Sequence, residues 1–488
     1  MSKSELKTVI MRNEPFSAAL TLTENPYALA PPQHGNDVRV VVEDASVRFA
    51  GGPGKQEMTG NQFIAGFCRA IQDAFAELHG LHTYVLLFDK KRYVPAEKGH
   101  TQAVRRETLA ESAHRTNVPE WAWDGVSDVI SRMAPLPPWQ RVRLNGAAYG
   151  KALDNVVALL MAQIVPPPKC RVIFDWAAVP MTLESDEFGR PMKPYADVSL
   201  TNTIGEADMA AQWYSRLGRC GGMAVPERPE THEIRQMDAN VQAAYYGTSQ
   251  ERTMPAVCRT EYEPGDVVLR SVDTDYLPLS LLHYTLYPGH NVWLAIGKCS
   301  VKSQSGNVVF CTKTTKEAVE KGEIYNIRRL CEIVQTLHPA LTVATEMSAK
   351  NAIAAFVAFC TACGNDYGKR PFGITHKVMF SAYKKVPLQA VWATEHPPVF
   401  AVTPESLQSF LQQCYLERLG SGKRPNGGER ALNWEQVAAV VSTTYTDKRA
   451  HMPTQAEAAE FRDSLRWAVQ YACVGPYGWT HVQNVRNA

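Results

Sequence analysis

The chain has 488 residues, of which 45% are hydrophobic and 20% are charged, so it is globular and forms one large domain or two to three smaller ones. Its formal net charge is only +2, which excludes a uniformly basic protein, so any surface for a polyanion must be local. No apolar stretch approaches the length that a membrane span needs, and no contact with a membrane is expected.

The N-terminal residues 1–36 are polar and contain Asn-Pro and Pro-Pro pairs, which predicts an arm or a loosely packed lead-in. The first residues lack the apolar core of a signal peptide. Eleven cysteines are scattered without a framework, and an odd number favours reduced thiols. We therefore expect an intracellular protein in a reducing compartment.

Two apolar runs and the segment between them predict the first part of the fold. The run 38–44 ends at Asp44, and the run 84–89 ends at Asp89. Residues 62–80 carry apolar side chains at helical spacing and stop at a glycine. Because such β-branched runs are typical of buried parallel strands, the sequence predicts a right-handed β-α-β unit that delivers acids to one edge of a sheet.

The rest of the chain continues this alternation, which predicts an α/β fold with a mixed, mostly parallel twisted sheet flanked by helices. A third apolar run, 267–275, leads into Asp273 and Asp275. Other predicted elements are a strand at 170–174, helices at 150–165, 207–217, 405–419 and 454–473, and a flexible linker at 420–429.

Five further acidic residues follow Asp44 and Asp89 along the chain. Glu206 and Asp208 stand at the start of a predicted helix, where the helix dipole stabilises negative charge. Asp273 and Asp275 leave a strand, in which alternate side chains share a face, and the last acid is Asp366. A lone acid after a strand is more often a surface or capping carboxylate. Several that converge cannot all stay ionised without cations, which favours Mg²⁺ and two-metal phosphodiester hydrolysis.

Cations cluster directly after the second acid. They can hold a scissile phosphate and offset charge in its transition state, or they can form the solvated face of a helix. The cluster includes Lys90, Lys91, Arg92, Lys98, Arg105 and Arg106.

The pair Gly373 and Ile374, just past Asp366, predicts a hinge between two helices. Such a hinge can present backbone N–H groups to a phosphate, and Lys377 would add charge. An ordinary turn between two helices is the alternative interpretation.

In their order along the chain, these segments resemble the flap endonuclease and XPG-like family of 5′-nucleases, a branch of the PIN-like superfamily. The segments between the acids are longer than in compact members, which indicates a divergent relative of the kind that viruses also encode. The resemblance extends over about residues 44–380 and rests on the stretches 42–46, 84–90, 205–211, 272–275 and 364–374.

The resemblance implies that the acids bind two Mg²⁺ ions, directly or through water, and that Mn²⁺ can substitute. It implies that Lys98 and Arg105 or Arg106 act on the phosphate from a helical arch. Gly373 and Ile374 would belong to a helix-two-turn-helix that grips duplex DNA. The implied metal ligands are Asp44, Asp89, Glu206, Asp208, Asp273, Asp275 and Asp366, and the implied nucleic-acid contacts also include Lys90, Lys91, Arg92 and Lys377.

We therefore expect a nuclease domain of PIN-like fold at 37–380, with an arch-like insert at about 90–150 and the helix-two-turn-helix at about 355–380. A mostly helical extension at 381–488, a candidate site for a protein partner, would follow it. The expected activity is structure-specific hydrolysis of branched or flapped DNA in replication, repair or recombination, in the nucleus or at a viral replication site. Two alternatives stay open: an RNA endonuclease of the same fold that cuts mRNA, as host-shutoff enzymes do, and a catalytically inactive scaffold that binds nucleic acid.

Overall fold

A mixed β-sheet lies between helices in the computed structural model of the chain. The structure describes residues 38–47, 60–77, 81–90, 107, 146–168, 170–197, 200–202, 204–215, 266–286, 292–296, 300–304, 307–311, 324–336, 346–364, 373–395, 398–420, 432–445 and 451–474. The strands in these residues are β1 (Val38–Asp44), β2 (Thr83–Leu87), β3 (Arg171–Asp175), β4 (Met181–Glu184), β5 (Tyr195–Ala196), β6 (Asp266–Ser271), β7 (Val292–Ile296), β8 (Ser300–Gln304), β9 (Asn307–Cys311), β10 (Ile324–Asn326), β11 (Ala390–Glu395) and β12 (Pro398–Val402).

The main sheet has eight strands in the order β10-β7-β6-β1-β2-β3-β4-β5. Its five central strands, β7, β6, β1, β2 and β3, are parallel to one another, and β10, β4 and β5 join antiparallel at the two sides. In the register, Asp44 lies opposite Leu87, and Leu87 lies opposite Asp175. The prediction of an α/β fold with a mixed, mostly parallel sheet is therefore confirmed, and the carboxyl ends of β1, β2 and β3 meet at one edge.

Helices cover both faces of this sheet. They are α1 (Gly60–Glu77), α2 (Gly146–Gln163), α3 (Ala207–Tyr214), α4 (Tyr276–Leu286), α5 (Ile327–Thr336), α6 (Glu346–Ala362), α7 (His376–Lys385), α8 (Pro404–Leu419), α9 (Trp434–Thr444) and α10 (Gln455–Val474). Because side chains alternate along a strand, Val41 packs with α1 and α2, whereas Val40 and Val42 pack with α3, α4 and the later helices. Burial on both faces explains why the central strands are continuous apolar runs.

The C-terminal part of the described chain belongs to the same core as the sheet. Phe410 of α8, Val437 of α9 and Val469 of α10 lie in one buried cluster with Val40 and Leu269. A hairpin of β11 and β12 lies between α7 and α8, so this region is not wholly helical. Among the described residues, no helix is both long and apolar enough to cross a membrane.

Candidate acidic site at the carboxyl edge of the sheet

The acids that follow the strands lie at the point where the sheet changes direction. From β1 the chain continues to β2 and β3 on one side, whereas β6 and β7 lie on the other side. In open α/β sheets, the crevice outside the carboxyl ends at such a switch point is the usual place for a ligand. Asp44 ends β1 and Asp273 follows β6, so one predicted acid comes from each strand that borders this crevice.

Asp44 is buried at the end of the middle strand. One carboxylate oxygen, Oδ1, accepts the backbone N–H of Ser46 at 2.8 Å, and Oδ2 accepts the hydroxyl of Ser271 at 3.3 Å. Burial and the nearby charges of Asp89 and Asp273 raise the pKa of Asp44 to about 6, although the bonds from Ser46 oppose the shift. Two other predicted acids are therefore close enough to Asp44 to disfavour its charged form.

The start of α3 brings further carboxylates to this edge. Asp89, which follows β2, accepts the backbone N–H of Ala207 at 3.1 Å, so it holds the first turn of α3 against the sheet. Asp208 accepts the N–H of Met209 at 2.8 Å, and Glu206 is the N-cap residue, with no side-chain bond to the helix backbone. These carboxylates face the positive end of the helix dipole, as the sequence predicts.

Asp273 and Asp275 lie in a turn between β6 and α4. The prediction that they share the face of a strand is wrong, because β6 ends at Ser271. Instead, Asp273 accepts the backbone N–H of Asp275 at 3.0 Å, and the N–H of Asp273 donates to the hydroxyl of Ser271 at 3.0 Å. This turn fixes the backbone of Asp273 and leaves its side chain exposed to solvent.

Tyr276, the first residue of α4, is a further buried residue close to these acids. Its side chain is fully buried, and among the described residues its hydroxyl has no hydrogen-bond partner. Burial and the negative charges of four carboxylates raise its pKa well above the ordinary value of 10.0, so the phenol is a neutral donor. The four acids come from four separate segments and are Asp44, Asp208, Asp89 and Asp273. Sequence reasoning missed Tyr276, although a tyrosine directly after two acids is visible in the sequence.

These residues suit a hard divalent cation with bound water. Carboxylate oxygens are the ligands that Mg²⁺ prefers, and because Mg²⁺ keeps several waters, a buried hydroxyl donor beside it would find a partner. In the part of the chain that the structure describes, however, no three His, Cys, Asp or Glu side chains lie close enough together to form a metal-binding group. The acids are therefore near one buried hydroxyl, but those in the described residues do not form a closed ligand set.

The structure contradicts one of the predicted nucleic-acid contacts. Lys90 is buried and pairs with Asp175, the last residue of β3, and its Nζ also donates to Oδ1 of Asn202 at 2.6 Å. Burial lowers the pKa of Lys90 and raises that of Asp175, while the charge of each partner opposes the shift of the other. Lys90 is therefore a structural link between strand ends and is not available to a phosphate.

Asp175 is an acid that sequence reasoning missed. It ends an apolar run in the same manner as Asp44, so the rule that identified Asp44 also applies to it. Its partner Lys90 also forms a backbone hydrogen bond to a later segment of the chain. The N–H of Lys90 donates to the carbonyl of Gly205 at 2.7 Å. The ion pair is thus connected to the segment that carries Glu206 and Asp208.

The predicted hinge lies between α6 and α7. Gly373 is exposed with φ of 67°, and Ile374 is buried. The positive φ favours glycine, whereas the overlap of a Cβ with the guanidinium of Arg418 involves the flexible end of a side chain that can move away. The hydroxyl of Thr375 caps α7 by accepting the N–H of Val378 at 3.4 Å, and Lys377 is exposed in the first turn. The predicted position between two helices is confirmed, whereas a contact with phosphate stays a prediction.

Several predicted site residues lie outside the described residues. They are Lys91, Arg92, Lys98, Arg105, Arg106 and Asp366. Neither a protein-family model nor a curated protein matches this chain.

Proposed function

We propose that this protein is a Mg²⁺-dependent nuclease of the flap endonuclease and XPG-like kind, with a PIN-like fold, that hydrolyses phosphodiester bonds in branched or flapped DNA. One observation carries the proposal: four carboxylates from separate segments, at the switch point of a parallel sheet, lie close enough to the buried hydroxyl of Tyr276 to raise its pKa. The order of these acids along the chain agrees with the family resemblance.

In this proposal, the acids have different roles in metal binding. Glu206, Asp208, Asp273 and Asp275 would hold the metal ions most directly, and Asp44, Asp89 and Asp366 would complete the shell, some of them through water. When bound there, two Mg²⁺ ions would supply an activated water and stabilisation of the leaving oxygen. Asp44 would contribute most to metal binding above pH about 6, where its carboxyl has lost its proton.

The basic residues would bind the nucleic acid around this edge. Lys98, Arg105 and Arg106 orient the scissile phosphate, and Lys91 and Arg92 add charge next to Asp89. The exposed Lys377 and the hinge before α7 hold the duplex at a distance from the scissile bond. Together these contacts would select a junction rather than a free end.

The first test is the substitution Asp273→Asn, assayed on an end-labelled 5′-flap duplex, a nicked duplex and a single-stranded RNA of matched sequence. Each substrate is incubated with Mg²⁺, with Mn²⁺ and with chelator. We expect metal-dependent cutting near the flap junction and a loss of at least ~100-fold in the variant, because an amide cannot replace a charged metal ligand. Folding should persist, since the side-chain amide oxygen of the variant can still accept the backbone N–H of Asp275.

The matched control is Asp186→Asn. Asp186 also accepts backbone N–H groups in an exposed turn, from Phe188 at 2.9 Å and Arg190 at 2.8 Å, but this turn lies between β4 and β5. The control protein should cut at the wild-type rate. Normal cutting by Asp273→Asn with Mg²⁺ would overturn the assignment. Cutting of RNA alone would make the protein an RNA endonuclease, and metal-independent binding without cleavage would indicate a scaffold.

A further inference from the structure

The last described helix of the chain reaches the acidic site. Near the end of α10, the hydroxyl of Tyr471 donates to Oε1 of Glu206 at 3.3 Å, across 265 residues of sequence. Both side chains are almost fully buried, with 1% exposure each. A residue of the C-terminal region therefore contacts one of the acids that the proposed function assigns to metal binding.

A second bond holds the same end of α10 in place. Nε2 of His283, on α4, lies 2.8 Å from the backbone carbonyl of Ala472. A carbonyl only accepts, so Nε2 carries the proton and donates. The end of α10 is therefore bonded at adjacent residues to Glu206, at the start of α3, and to α4, the helix that follows the turn of Asp273 and Asp275.

The packing around these bonds is apolar. Tyr471, Ala472 and Val469 lie in the buried cluster that also contains Ala207 and Leu282. In such surroundings, each hydrogen bond to a carboxylate helps to stabilise and orient it. Glu206 makes no side-chain cap bond to α3, and the hydroxyl of Tyr471 is a donor that reaches its carboxylate from another element.

We propose that Tyr471 is a positioning residue of the acidic site: its hydroxyl fixes the carboxylate of Glu206, so α10 completes the cation site. This inference rests on the proposed function, because it assumes that Glu206 holds a divalent cation. Groups that orient a metal ligand typically contribute about 10- to 100-fold to metal affinity or activity. The C-terminal region would then be part of the nuclease site as well as a possible contact for other proteins.

The test is Tyr471→Phe in the full chain, with Mn²⁺ binding measured by titration calorimetry and the Mg²⁺ concentration for half-maximal cleavage measured on the 5′-flap duplex. Phenylalanine keeps the buried ring and removes only the donor. We expect Mn²⁺ affinity to fall about 10-fold or more, with a matching rise in the Mg²⁺ midpoint. At saturating Mg²⁺, cleavage should return to within about threefold of the wild-type rate, because the ligand itself is still present.

The control is Tyr415→Phe, which removes a similar buried donor from the same core. The hydroxyl of Tyr415, on α8, donates to the backbone carbonyl of His451 at 3.2 Å. This variant should lose a comparable amount of stability, with wild-type affinity for Mn²⁺. Equal Mn²⁺ affinity of the two variants would overturn the inference.

A second experiment separates positioning from general loosening of the fold. If Tyr471 acts through Glu206, adding Tyr471→Phe to Glu206→Gln should cause no further loss of Mn²⁺ affinity. A further loss as large as that in the wild-type background would contradict the positioning role. Failure of the proposed function looks different, because the wild-type protein itself would then bind no Mn²⁺ and cut no substrate.

Discussion

Asp44 connects the stability of the fold to pH. Burial together with Asp89 and Asp273 raises its pKa from 3.8 to about 6, so the folded protein holds this proton more tightly than the unfolded chain does. Between pH about 4 and 6, the unfolded chain has released the proton while the folded protein still keeps it. The contribution of Asp44 to stability therefore decreases as the pH rises through this window and is constant above it.

Replacing Asp44 with Asn should remove this penalty in metal-free buffer. A shift of about two pKa units corresponds to roughly 3 kcal/mol, so Asp44→Asn should be more stable than the wild type by up to that amount at pH 7.5. The difference should become small as the pH falls to 4, where the wild-type carboxyl is protonated in the folded protein and partly protonated in the unfolded chain. Urea unfolding at intervals from pH 4 to 8 measures the difference, and one that does not change with pH would show that Asp44 is not perturbed.

At the residue scale, the sequence predicts the positions of the acids better than the side chains that contact them. Asp44 and Asp89 are visible because apolar runs end at them, and this signal is local. The ion pair of Lys90 depends on how strands from distant parts of the chain are aligned, which no local pattern shows. The same reason applies to Tyr471, whose contact with Glu206 crosses 265 residues.

At the scale of elements, burial decides which strands can be predicted. The runs at β1, β2, β3 and β6 are apolar on both faces, and the sequence predicts each of them. The short strands β4 and β5 lie at the side of the sheet, and their mixed polarity resembles that of loops. The edge of the sheet where the acids gather follows from the predicted strands alone, whereas the turn at Asp273 depends on side-chain bonds to the backbone.

The ends of β2 and β3 are joined by the buried pair of Lys90 and Asp175. Removing one partner of such a pair leaves a buried charge without compensation, so Lys90→Met should lower the free energy of unfolding by roughly 3–5 kcal/mol. The double substitution Lys90→Met with Asp175→Asn removes both charges and should recover most of this loss. Urea unfolding of the wild type and the three variants gives the coupling energy directly.

A half-exposed ion pair provides the comparison for this double-mutant cycle of Lys90 and Asp175. Lys385 lies 2.6 Å from Glu417, and its side chain is 54% exposed, so Lys385→Met should cost no more than about 1 kcal/mol. If Lys90→Met costs no more than Lys385→Met, the buried pair does not hold the strand ends together. The segment before α3 would then need another anchor.

At the scale of the whole molecule, the helices after residue 400 share one core with the sheet. The ring of Phe410 in α8 meets the edge of Phe359 in α6, with centroids 6.2 Å apart, and Phe359 stacks on Tyr383 of α7 at 4.4 Å. These rings belong to the cluster that contains Leu269 of β6. A continuous core of this kind indicates that the sheet and the C-terminal helices unfold together.

Joint unfolding of the sheet and the C-terminal helices can be tested by destabilising the C-terminal helices and measuring hydrogen exchange in the sheet. Phe410→Ala removes a fully buried ring and should lower the free energy of unfolding by about 3–5 kcal/mol. If the core is one cooperative unit, native-state hydrogen exchange should show the same loss of protection for the slowest amides of β1 and of α8, because both exchange through global opening. Phe63→Ala, in α1 on the opposite face of the sheet, should weaken α8 in the same manner. A loss confined to α8, α9 and α10 in Phe410→Ala would instead show that the C-terminal region opens by itself, and Tyr471 could then leave Glu206 without unfolding of the sheet.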